Sequence, residues 1–218
     1  MTNLRINLAN YFSGVDLVLT NVLAHPEIAA AFTGVGYDGP VIQSGRDLLD
    51  TARGLYLAQI TEYGEQYAAT QELNDAWQTA DNLYTRHRQF AGILFKDDPL
   101  RAKTLALNEP KKYSFTGWLD QALRFYAAAL SDPEIISALG RFLITQEQLE
   151  EGQALVQQAA ALDQAQECEK AEAQQATRDR DAAIDVLNEW LAVFRQVARI
   201  ALANEPQLLE ALQLGAIS

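Results

Sequence analysis

Two histidines, His25 and His87, and one cysteine, Cys168, are all this chain has of the side chains that most often carry proton transfer, nucleophilic attack or soft-metal binding near neutral pH. A di-iron site in a helical bundle needs Glu-x-x-His pairs, but Val22 and Tyr84 stand three residues before the two histidines. A single cysteine excludes Cys/His zinc sites, which need several such ligands at close spacing. His87 lies between Arg86 and Arg88 with Tyr84 one helical turn back, a pattern that suits either a small anion-binding spot or a packing histidine on an amphipathic helix. Packing is the reading adopted, because Phe194 stands 107 residues later in a matching context. Cys168 has no histidine nearby in sequence and is matched by Thr61, so no nucleophilic role is expected of it.

Glycine concentrates in one loop, Gly34-Val35-Gly36-Tyr37-Asp38-Gly39-Pro40. It lacks the Gly-Lys-Ser/Thr ending of a phosphate loop and follows no strand, so it reads as an irregular connection between helices. The carboxylates Glu147, Glu150 and Glu151, and Glu167, Glu169 and Glu172, read as solvated helix faces, since catalytic carboxylates need burial or a raised pKa. Three tryptophans, Trp77, Trp118 and Trp190, are the candidates for lining a ligand pocket, although aromatics in the phase of a helical core are first of all core. The inventory therefore predicts no catalytic residue, no metal ligand and no cofactor.

The elements that would position these residues repeat. Shifting the sequence by 107 places Pro26-Glu27-Ile28 on Pro133-Glu134-Ile135, Gly45 on Gly152, Ala58-Gln59 on Ala165-Gln166, Ala69-Thr70 on Ala176-Thr177, Arg88-Gln89 on Arg195-Gln196 and Pro99 on Pro206. About a quarter of the positions between Ala24 and Leu107 are identical at this one shift, and helix punctuation repeats with the apolar positions. The expectation is an all-α protein of two tandem copies, 1–110 and 111–218, packed on each other about a pseudo-twofold axis and joined by the polar linker Asn108-Glu109-Pro110-Lys111-Lys112.

In each copy an amphipathic helix (about 8–23 and 115–130) precedes a proline-started helix at Pro26 or Pro133, with Asp132 a better N-cap than His25. A long helical stretch follows, about 41–95 and 146–203, and then a short helix from Pro99 or Pro206 that ends near Asn108 or Gly215. One helix of some 55 residues exceeds the usual globular range, which favours folding each stretch back as a hairpin with Thr70 and Thr177 as N-caps. Against that, Gln174-Gln175-Ala176 contains no turn former. The core face of the later part is Ile184, Leu187, Leu191, Phe194 and Ala198, with Trp190 and Val197 beside it; its counterpart is Trp77, Ala80, Tyr84, His87 and Ala91. Gly45 and Gly152 each sit early in the stretch, where close helix approach is the expected reason for glycine.

Composition narrows the partners. With 17 basic and 29 acidic residues the formal charge is -12, which repels phosphate backbones and anionic lipid, so neither nucleic acid nor a membrane is an expected partner. No apolar run approaches the ~20 residues of a membrane span, and Met1-Thr2-Asn3-Leu4-Arg5-Ile6-Asn7-Leu8 lacks the layout of a signal peptide. A lone cysteine points to a reducing, cytoplasmic setting.

The segments Ala176-Thr177-Arg178-Asp179, Arg199-Ile200-Ala201-Leu202 and Pro206-Gln207-Leu208-Leu209-Glu210-Ala211-Leu212 resemble a group of uncharacterised bacterial all-helical proteins with an internal duplication. That resemblance implies a bacterial origin and assigns no activity or catalytic residue. The functional expectation is a cytoplasmic helical scaffold or protein-interaction module, without catalytic activity, that binds a protein partner or itself. The alternative is a small-molecule-binding bundle with an apolar pocket between the repeats, lined by Trp77, Trp118 and Trp190.

Overall fold

The computed structural model describes residues 8–217, and among them the chain is all-α. The N-terminal stretch read above for a signal peptide lies outside the described residues, apart from Leu8. In chain order the helices are α1 (Leu8–Ala24), α2 (Pro26–Gly34), α3 (Gly39–Leu94), α4 (Pro99–Thr104), α5 (Phe115–Ser131), α6 (Pro133–Gly140), α7 (Gln146–Ala201) and α8 (Pro206–Ala211), followed by a 3-10 turn at Leu214–Ile217. α5, α7 and α8 begin and end 107 residues after α1, α3 and α4; α6 begins 107 after α2 and ends one residue earlier than that shift would place it. No single described helix is long and apolar enough to cross a membrane.

The hairpin expectation is corrected. α3 and α7 are each one unbroken helix of 56 residues, about 84 Å at 1.5 Å per residue. Thr70 and Thr177 do not cap. Their hydroxyls donate to carbonyls four residues back, Gln66 O at 2.9 Å and Ala173 O at 3.0 Å, which is how threonine behaves inside a helix. The residues at the proposed turn, Gln, Ala and Glu, are strong helix formers, and nothing there offers the backbone an alternative to its own ladder.

The fold gathers into two compact units. The first comprises residues 1–63 and 172–218: α1, α2, the early part of α3, the late part of α7, α8 and the 3-10 turn. Its core joins Phe12, Val15, Val18 and Leu19 of α1 to Ile28 and Phe32 of α2, Ile42 and Leu49 of α3, and Leu187, Leu191 and Phe194 of α7. Within this unit α3 and α7 run antiparallel, since Gln59 accepts from Arg180 at 2.7 Å while Tyr63 shares a hydrogen bond with Thr177 at 3.3 Å.

The second unit, residues 64–171, holds the late part of α3, α4, α5, α6 and the early part of α7. Tyr84 of α3, Trp118, Phe125 and Tyr126 of α5, Ile135 and Leu139 of α6, and Leu149 and Val156 of α7 make its core. The segment read as a linker lies inside this unit and is tied down. Lys111 donates to Asp81 and Thr85, both at 2.7 Å, and buried Gln121 bonds the backbone on either side, Pro110 O and Lys112 N. Each unit thus takes elements from both 1–110 and 111–218, and residues 110 and 111 both belong to the second.

Caps explain the corners. Asp132 accepts from Glu134 N at 2.9 Å and Asp98 from Arg101 N at 3.0 Å, whereas His25 makes no capping bond with its side chain. Proline follows each of these residues, where its missing N–H costs nothing. The short helices do not end at Asn108 and Gly215 as expected: the left-handed residues are Ala106 (φ 52) and Gln213 (φ 57).

Candidate functional site

Several of the residues singled out for chemistry lie in the packed interior. His87 is 1% exposed, and its Nδ1 lies 3.2 Å from the Tyr126 hydroxyl. Burial first, and the charge of Arg86 second, hold its pKa down to about 4, so the ring is neutral at pH 7. Tyr126 is buried too, and its hydroxyl is pushed up by desolvation, reinforced by Tyr84 and Glu151, so it stays protonated. That hydroxyl occupies the space where a Cβ at Gly152 would sit. The hydrogen bond between them satisfies two buried polar groups.

Around it, Arg88 donates to the carbonyls of Ala106, at 2.7 Å, and Glu109. It thereby ties α3 to the left-handed end of α4 and to the start of the connecting segment. Arg101 is clasped by Asp98, Asp132 and Glu134, joining the α4 start to the α5–α6 corner. Most of their carbonyl and carboxylate partners lie on other elements and become visible only in the fold.

The three tryptophans do not come together. Trp77 and Trp118 meet at 5.8 Å between ring centroids, with Phe115 beside both, in the core of the second unit. Trp190 belongs to the core of the first, stacked on Phe194 at 5.2 Å. Its ring fills the space where a Cβ at Gly45 would sit, so the shared glycines make room for an aromatic side chain rather than for a second backbone. The glycine-rich loop is also architectural. Gly36 (φ 80) closes a Schellman cap in which Tyr37 N donates to Phe32 O at 2.9 Å, Asp38 caps α3, and Tyr37 packs on Phe32, Trp190 and Phe194. Cys168 is exposed.

What stands out on the surface is α7 in the first unit. Ala182, Val186, Glu189, Val193, Gln196 and Ile200 recur at alternating spacings of four and three, the seam pattern of helix-on-helix packing, and all six are exposed. Val186, Val193 and Ile200 are 49%, 53% and 70% exposed, so three β-branched apolar residues seven apart lie in water on one stripe. The positions 107 residues earlier on α3 are Asp75, Thr79, Asn82, Arg86, Gln89 and Ile93, also exposed but polar except at the last. The seam escaped the sequence reading because the deeper stripe on the same helix dominates the periodicity.

No protein family, curated protein or solved structure matches the chain.

Proposed function

We propose that this protein is a helical scaffold, an interaction module whose working surface is the outer seam of α7, with no catalytic reaction of its own. The observation that carries this reading is the row Val186, Val193 and Ile200 at heptad spacing on an exposed helix face whose other seam residues are Ala182, Glu189 and Gln196. The uncovered part of each side chain, about half or more, gains nothing from packing on its own chain, and a heptad row of such residues fits the groove of another helix. The buried His87–Tyr126 pair and the clasps of Arg88 and Arg101 support the same reading, because a histidine, a tyrosine and two arginines are used to hold helices in place.

The architecture belongs to the proposal. Helix bounds, shared glycines and left-handed residues separated by 107 support two tandem copies of one helical unit, 1–110 and 111–218, mated about a pseudo-twofold axis. A reducing, cytoplasmic setting suits the one exposed cysteine.

A photo-crosslinking residue in place of Val193 tests the reading. It is expected to capture a protein, whether another chain or a second copy, far more strongly than the same residue in place of Asn82 on the polar seam. Equal, background-level labelling at the two positions would refute it.

A further inference from the structure

Resting on the interaction reading above, we propose that the helix docking on the outer seam of α7 belongs to a second copy of this chain, and that the two α7 segments pair antiparallel. The argument comes from the flank of the seam. Asp185, Ala192 and Arg199 are seven residues apart, all exposed, on one side of the stripe made by Val186, Val193 and Ile200. In an antiparallel helix pair the residues of one such flank face the same flank of the partner in reversed order. Centred at Ala192, that arrangement sets Asp185 of each copy opposite Arg199 of the second copy and Ala192 opposite Ala192.

Two complementary pairs therefore arise from one self-complementary surface, as a twofold interface requires. A parallel arrangement would set Asp185 and Glu189 near their own copies and Arg199 near its own, with no opposite charge between them. The opposite flank is closed to a partner, since Trp190 and Val197 pack on the chain's own core. Glu189 and Gln196 alternate with the apolar residues, so the seam holds too little apolar surface for a permanent dimer. The dissociation constant is expected to be on the order of micromolar.

Sedimentation of the full-length chain over a concentration series tests this. The wild type is expected to show a reversible monomer–dimer equilibrium, abolished by Val193→Asp. Asp185→Arg alone and Arg199→Asp alone each set like charges opposite in both pairs and should weaken the dimer at least about tenfold. An equimolar mixture of those two single variants should form a heterodimer, because each then supplies what the other lacks. Association that the single variants leave unchanged, or a mixture that stays monomeric, overturns the antiparallel register.

Arg199→Lys provides a test that needs no charge reversal. A zero-length carbodiimide is expected to join that lysine to Asp185, and the two positions are about 21 Å apart along one helix, so the link forms only between copies. A wild-type chain that is monomeric up to about 0.5 mM refutes self-pairing. If Val193 still photo-crosslinks another protein in that case, the interaction reading survives and only the identity of the partner changes.

Discussion

The two units solve the same packing problem with different side chains. Where the first places Phe194 against Trp190 and Phe32, the second places His87, 107 residues earlier, against Tyr126. Gly45 in the first unit yields to an indole ring and Gly152 in the second to a phenol. The first unit's core is closed by apolar contact alone at this point, whereas the second's contains a hydrogen bond and a titratable ring. Outside the cores the contrast also runs from apolar to polar, since the α7 seam carries Val186, Val193 and Ile200 where the α3 seam carries Thr79, Arg86 and Ile93. Equivalent helix bounds therefore fix where a residue sits, and leave open whether it is satisfied by area or by a specific bond.

The largest expected effect is in the apolar core. Phe194→Ala removes a fully buried ring and is expected to cost about 3–5 kcal/mol in chemical denaturation. Hydrogen exchange should place the lost protection in residues 8–63 and 172–212; loss spread evenly over 64–171 would break the comparison.

Acid should act on the other unit. In the unfolded chain His87 takes up a proton as pH falls through its ordinary value of 6.5, while in the fold it resists until about 4. Between those values the unfolded state binds more protons, so the contribution is complete above about pH 6.5 and declines as pH falls, by about 3 kcal/mol near pH 4. His87→Phe is expected to flatten this part of the pH–stability curve, and an unchanged curve would show that His87 is not the group responsible.

Next come the glycines. Gly45→Ala and Gly152→Ala each push a Cβ into a ring and should destabilise by about 1–3 kcal/mol. The cost at Gly45 is expected to shrink when Trp190→Leu accompanies it, Leu83 being the residue 107 earlier, and urea midpoints of the two single variants and the double variant measure this. The smallest effect is a gain. Leu143 (φ 62) stands 107 residues after Gly36 and is 81% exposed, so Leu143→Gly should stabilise by about 1 kcal/mol, seen as a raised melting temperature.

The helices, their proline starts and the better capping at Asp132 than at His25 were legible in the sequence, because punctuation of that kind is local chemistry. The unbroken course of α3 and α7 was not. Length alone argued for a hairpin, yet a helix can exceed the globular norm when its two ends lie in different cores. The left-handed positions at Leu143, Ala106 and Gln213 were also hidden, since no glycine marks them. At Leu143 the turn is held by buried Ile144, whose N–H reaches back to Leu139 O at 3.3 Å, so burial overrides the local preference. All three tryptophans pack in or against core clusters, and only the fold separates Trp190 from Trp77 and Trp118.

The division into units carries a consequence for synthesis on the ribosome. Residues 64–171 are contiguous, so that core can close as soon as its last helical segment has emerged. The core built on α1 and α2 must wait for Leu187, Leu191 and Phe194, more than a hundred residues after its own early part of α3 has appeared. At about 5–20 residues per second the greasy face of Phe12, Val15 and Leu19 waits some 8–34 s for Leu187, long enough for a nascent-chain chaperone to be its first companion.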